Sequence, residues 1–217
     1  RAAQVNSEVR HDRDAAANVY NSLLEIEPGH VAALQFCCAY LFDTGSHEEA
    51  LPLYQRLEPV IEQGLDLDDF DVRIELSEFY FSYAEILGEL DRGLEALARY
   101  ERVLQLNPTH LASLRAVAPL YFSAQEWKKA ENAYRQLLQL TGGQGDRKSV
   151  AEMYTQLGLV ERQIGNEAKA YKRFNKALEV VPNHVEALRG MALVLEDRKD
   201  WSTLLNVYNN VIYHATD

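Results

Sequence analysis

The stretch "VVPNHVEALRG" at residues 180–190 decides the fold, because two earlier stretches echo it: "IEPGHVAALQF" at 26–36 and "LNPTHLASLRA" at 106–116. Each reads proline, any residue, histidine, then Val or Leu, any residue, Ala or Ser, and Leu. A metal site or a catalytic histidine has no use for proline and leucine at fixed offsets. A repeating architecture needs all three.

The segment ahead of each echo has its own regularity. "AANVYNSLLEIEP", "ALARYERVLQLNP" and "AYKRFNKALEVVP" place a small residue four positions before an aromatic, seven before an apolar residue and twelve before proline. The sets are Ala16, Tyr20, Leu23; Ala96, Tyr100, Val103; and Ala170, Phe174, Ala177, closed by Pro28, Pro108 and Pro182. Spacing of i, i+4, i+7 is one face of an α-helix. Proline then stops that helix, lacking an amide hydrogen and restricting the residue before it. Ala50, Tyr54, Leu57 and Ala130, Tyr134, Leu137 carry the pattern without proline, and Leu204, Tyr208, Val211 is a sixth version.

A second helix type precedes each of these. Tyr154, Leu157 and Gly158 share a face, with counterparts Leu34/Cys37/Cys38, Tyr80/Tyr83/Ala84, Leu114/Val117/Ala118 and Leu188/Met191/Ala192. The last member is small, which admits a neighbouring helix and assigns Cys38 to packing. Asp12, Ser46, Asn166 and Asp200 are expected to cap the second helices, Ser46 with Glu49 as a capping box. Thr109 and Asn183 are expected to cap first helices, Asn183 with Glu186 as another box. On that reading the three histidines are first-turn residues, not ligands.

With 217 residues, 47% of them hydrophobic, the chain can bury a large apolar area as one elongated domain or two compact ones. No run of eighteen apolar residues is present to span a membrane. Residues 1–40 sum to −2, residues 41–110 to −11 and residues 111–217 to +2. That distribution argues against non-specific nucleic-acid binding, which needs a broad positive surface. Adjacent Cys37 and Cys38 suit buried thiols in a reducing, cytoplasmic setting, and no resolving motif surrounds them as a redox pair. Because the chain begins with Arg1, a fragment or processed form of a longer protein is expected.

The helix–turn–helix unit resembles the tetratricopeptide repeat, whose 34-residue signature reads W-x2-L-G-x2-Y…A-x3-F…P. Residues 151–184 carry it best, through Tyr154, Leu157, Gly158, Ala170, Phe174, Ala177 and Pro182. Glu161 stands where the signature has an aromatic, Pro119 lies inside a first helix with a kink expected, and Pro52 and Pro59 lie inside a second helix. The resemblance implies an all-α, right-handed superhelical solenoid of antiparallel helix pairs. One domain over 1–217 is expected, with a partial repeat at 1–30 and repeats starting near 31, 77, 111, 151 and 185. About twelve extra residues near 64–76 and about six near 141–150 break the period; the first is expected to lengthen the flanking helices and the second to form a flexible loop.

No catalytic, cofactor or metal site is expected. "GGQGDRKS" fails as a phosphate loop, because Arg147 replaces the required glycine before Lys148. "DLDDFD" fails as a calcium loop, because Phe70 and Asp71 replace an oxygen ligand and the turning glycine. It reads instead as an acidic turn and helix start.

A solenoid of this family acts through its concave face, lined by first helices, which holds a peptide or partner helix. The repeat register places there Gln35 and Phe42; Phe81 and Glu85; Arg115 and Phe122, with Pro119 between them; Thr155 and Arg162; and Arg189. The phenylalanines either line the groove or pack on neighbouring helices, and the arginines suit a carboxylate. The expected function is a non-enzymatic protein-interaction scaffold, with a recruiting arm of a larger enzyme or a self-associating module as alternatives. A basic partner is expected to face the acidic 41–110 segment. End-to-end association is expected through residues 204–212, where one helix face cannot use every large apolar side chain.

Overall fold

A computed structural model describes residues 13–142 and 146–215, and the regular structure among these residues is entirely helical. The helices are α1 (Arg13–Ile26), α2 (Val31–Asp43), α3 (His47–Ile61), α4 (Phe70–Glu89), α5 (Gly93–Leu106) and α6 (Leu111–Ser123). They continue with α7 (Trp127–Leu140), α8 (Arg147–Gln163), α9 (Glu167–Val180), α10 (Val185–Asp197) and α11 (Trp201–Ala215). After α1 the described residues form five helix pairs, α2–α3, α4–α5, α6–α7, α8–α9 and α10–α11, each packed side by side. Packing divides the chain into two units, Arg1–Pro108 and Thr109–Asp217, with the boundary inside the second proline–histidine echo.

One turn is built five times. Gly45, Asp91, Gln125, Gly165 and Lys199 all have positive φ, between 57° and 85°. The residue after each donates its backbone N–H to a carbonyl five positions back, as in Ser46 to Leu41, Glu126 to Tyr121 and Asn166 to Glu161. This is the Schellman closure of a helix, which satisfies the orphan carbonyls of its last turn. The intervals 91 to 125 and 165 to 199 are each one 34-residue period, while the two insertions lengthen the other intervals.

The turn that returns to each new pair corrects the sequence expectation. His30, His110 and His184 occupy the N-cap positions themselves, with extended backbone. Their Nδ1 atoms accept the backbone N–H of Ala33, Ser113 and Ala187, each at 3.2 Å. Thr109 and Asn183 stand one residue too early to cap. Ser46 makes no side-chain cap bond, so its box with Glu49 does not form, and Asn166 makes none either. Asp200 does cap, accepting from the Thr203 N–H at 3.2 Å. Asp12 lies outside the described residues.

Both insertions contribute helix. Asp69 caps α4, accepting the Asp71 N–H at 2.8 Å, and the acidic run becomes the start of a 20-residue helix. In the second insertion Asp146 caps α8 by accepting from Ser149, so Arg147 to Val150 are helical rather than loop. The helices containing Pro52, Pro59 and Pro119 run through those residues.

The core alternates bulky and small residues. Tyr54, Tyr100, Tyr134 and Phe174 of the second helices are buried, as are their small partners Cys38, Ala84 and Ala118. Phe174 shows why the partner must be small. A Cβ built on Gly158 or Gly190 would meet its ring at 2.7 and 2.4 Å. Glu161, where the signature has an aromatic, is buried and accepts a hydrogen bond from Asn166 Nδ2 at 3.1 Å. That bond draws the Asn166 side chain away from capping α9.

Candidate functional site

Three consecutive helices of the Thr109–Asp217 unit enclose an open cleft of about 760 Å3. From α6 it receives Arg115, Pro119, Phe122 and Ser123, from α7 Tyr134 and Leu137, and from α8 Lys148, Ser149, Glu152, Met153 and Gln156. Residues 115, 119 and 122 are one face of α6, and 149, 152, 153 and 156 one face of α8. Phe122 is half-buried, its ring 5.4 Å from that of Trp127 in a T-shaped arrangement, and it lines the cleft.

Glu152, the one carboxylate of the lining, is already engaged. Its Oε1 accepts from Gln156 Nε2 at 2.6 Å and its Oε2 lies 3.2 Å from Nε2 of His184. Arg115 and Lys148 are exposed. Arg115 makes no ion pair among the described residues, and the cap carboxylate Asp146 is the charge near Lys148. Burial pushes the Tyr134 hydroxyl at the base up to about 12, so it remains a neutral phenol.

The other expected groove residues are placed differently. Gln35 borders a smaller recess of about 200 Å3 in the Arg1–Pro108 unit, with Ala39, Glu75 and Phe79. Phe42 lies outside it, half-buried near the His47 ring at 6.5 Å. Phe81 packs against Tyr100 at 6.1 Å, and the Tyr100 hydroxyl donates to Glu85. Thr155 is fully buried and its hydroxyl donates to the Ala151 carbonyl at 2.8 Å, so it lines no surface. Arg162 is committed to Asp197 at 3.1 Å, and Arg189 is exposed on α10. Of the nine expected residues, Arg115 and Phe122 meet in this cleft. The sequence reading missed its second wall on α8, whose signal was the i, i+3, i+4, i+7 row from Ser149 to Gln156.

Two carboxylates of the acidic segment are paired with arginines of α5 that its net charge already counts. Glu58 pairs with Arg99 at 2.8 Å and Glu62 with Arg102 at 2.7 Å, tying α3 to α5. Burial opposes ionisation of Glu62, but hydrogen bonds from Arg102 and Tyr80 outweigh it and hold the carboxyl below its ordinary range. Among the described residues no three His, Cys, Asp or Glu side chains are grouped to hold a metal ion. Nor is any helix among them long and apolar enough to cross a membrane.

The sequence profile of the tetratricopeptide repeat matches residues 151–184, which are most of α8, all of α9 and the turn ending at His184. That segment is similar to a tetratricopeptide repeat, and the chain shares its fold with solved tetratricopeptide-repeat proteins. The general transcriptional corepressor trfA of Dictyostelium discoideum is 30% identical over 101 residues, 46% of this chain but 7% of the corepressor's own length. MamA from Desulfovibrio magneticus RS-1, from residue 41 to its end, shares the fold with a TM-score of 0.61 at 16% identity, over 92% of this chain and 95% of that one. YrrB, described as a TPR protein with an unusual peptide-binding site, superposes with a TM-score of 0.59 at 16% identity, over 86% and 87% of the two chains. The Cut9–Hcn1 hetero-tetramer of APC/C gives 0.55 at 16% identity, covering 95% of this chain and 38% of that one.

Proposed function

We propose that this tetratricopeptide-repeat chain is a protein-interaction scaffold that holds an extended segment of a partner protein in the cleft of α6, α7 and α8. One observation carries the reading: a half-buried Phe122, an exposed Pro119 and an uncommitted Arg115 share one open cleft. Its volume lies within the range of ligand-binding clefts, roughly 300–1,000 Å3. The fold shared with YrrB, a protein described by its peptide-binding site, supports the same reading. The reading assigns the chain no catalytic step. A reducing, cytoplasmic setting fits its two buried free cysteines.

Selection of displayed peptides against the whole chain, followed by hydrogen-exchange mapping of the best binder, tests this function. Protection should concentrate on 115–123 and 148–156. Protection confined to other segments contradicts it. A basic surface on the partner would complement the acidic 41–110 segment, and such an association slows as salt screens the attraction.

Self-association is a second reading, favoured by one feature of α11. Trp201, Leu205, Tyr208 and Ile212 are exposed at 4-3-4 spacing, and residues 201–213 contain no charged side chain. Two copies of a chain of net charge −11 can meet along such a face without opposing like charges. Light scattering over a dilution series should show a dimer that Leu205→Glu abolishes; a strict monomer contradicts it.

A further inference from the structure

The cleft is chemically polarised along its length. α6 and α8 both pack against α7 and run in the same direction, so their N-terminal ends lie at one end of the cleft. Arg115 is in the second turn of α6 and Lys148 in the first turn of α8 beside the cap carboxylate Asp146, so that end keeps a net positive charge centred on Arg115. Phe122 is in the last turn of α6, which makes the opposite end apolar. Glu152, the carboxylate of the cleft lining, is turned to Gln156 and His184 and leaves Arg115 unneutralised.

We propose that the cleft recognises an extended peptide carrying an acidic side chain and a bulky aliphatic or aromatic side chain three residues apart. This rests on the reading of the cleft as the interaction site. The spacing follows from helix geometry. Arg115 and Phe122 are seven residues apart, about 10 Å along the helix axis. A peptide in the polyproline II conformation rises about 3.1 Å per residue with three residues per turn, so side chains three apart share a face and span about 9 Å. The acidic group pairs with Arg115, which makes no ion pair among the described residues, and the apolar side chain packs on the Phe122 ring. Arginine's planar fork suits a carboxylate, and Lys148 adds a second positive charge without fixing geometry.

The experiment uses the whole chain and fluorescein-labelled, end-capped peptides containing one Asp and one Leu in a Gly/Ser background. Their separation is varied from one to six residues in both orders, and binding is read by fluorescence anisotropy. A separation of three should bind tightest in one of the two orders, and Asp→Asn in that peptide should weaken it about tenfold or more. Arg115→Gln in the protein should erase the difference between the Asp and Asn peptides. Equal binding at all separations, or equal binding of Asp and Asn peptides, overturns the inference. If that equal binding is still lost with Phe122→Ala, the cleft remains the interaction site. If no peptide in the series binds, the inference is likewise overturned, and peptide selection then judges the cleft itself.

Discussion

The Nδ1 atom of His184 accepts a hydrogen bond from the Ala187 backbone N–H at 3.2 Å, and the same buried ring presents Nε2 to Glu152 at 3.2 Å. With Nδ1 accepting, the ring proton resides on Nε2 and points to the carboxylate. The bond explains why the third echo writes histidine after proline: the proline ends α9, and the histidine starts α10. It also fixes one wall of the cleft, because Glu152 is held by the same ring.

His184→Ala should therefore cost more than a simple cap. A lost cap is worth about 1 kcal/mol, and a hydrogen bond to a charged group adds about 1.5 kcal/mol. His184→Asn can cap but cannot reach Glu152 in the same way, so it should fall between alanine and the native protein. Urea unfolding of the three proteins checks the order. Equal stability of all three would show that the ring neither caps nor anchors.

Gly190→Ala separates packing from helix propensity. Propensity alone favours alanine by about 1 kcal/mol in a helix interior. The new Cβ, however, would lie 2.4 Å from Cε1 of Phe174, a ring with no exposure. Overpacking typically costs about 1–3 kcal/mol, so the net effect should be destabilising. Pairing the change with Phe174→Leu should recover part of the loss. A more stable Gly190→Ala protein would show that the ring moves freely.

Gln125 has φ of 60° at a turn where Gly45 and Gly165 serve elsewhere. A side chain is strained there and glycine is not. Gln125→Gly should raise stability by about 0.5–1 kcal/mol, seen as a higher urea midpoint. A loss would mean that the glutamine side chain makes a contact worth more than the strain.

Stability should collapse on the alkaline side. Burial pushes the Cys37 thiol from 9.0 to about 11, and burial with the adjacent Cys37 pushes Cys38 to about 12. Burial also raises Tyr54, and together with bonded glutamates raises Tyr80 and Tyr100. Raised pKa values mean that the folded chain holds protons the unfolded chain releases. The contribution is complete below pH 9 and is lost as pH climbs through 11 to 12. Melting temperature measured from pH 7 to 12 should fall steeply above pH 9, and the native thiols should react slowly with a disulfide reagent at neutral pH. Fast labelling of the folded chain would contradict this burial.

The helix pairs were legible because Ala, Tyr and Leu recur at helical spacing with a proline stop, and each bulky ring faces a small residue. The caps were misread because Thr109 and Asn183 have the stronger intrinsic preference, whereas backbone geometry gives the position to the histidine that follows. Thr155 was misplaced for a related reason. The repeat register marks one row of residues per first helix, whereas the cleft is formed by facing rows on α6 and α8. Thr155 belongs to the buried row between them and the core. Lys148 was hidden by its glycine-rich neighbourhood, which reads as linker until Asp146 is seen to start the helix.

The most direct test of the scaffold reading is the affinity of one cleft-selected peptide for the native chain and for Arg115→Ala with Phe122→Ala, measured alongside their melting temperatures. Binding should weaken about tenfold or more, with the melting temperature moved by no more than about 4 °C. Undiminished binding, or a loss matched by unfolding of the variant, would contradict the assignment of this cleft as the site where the protein holds its partner.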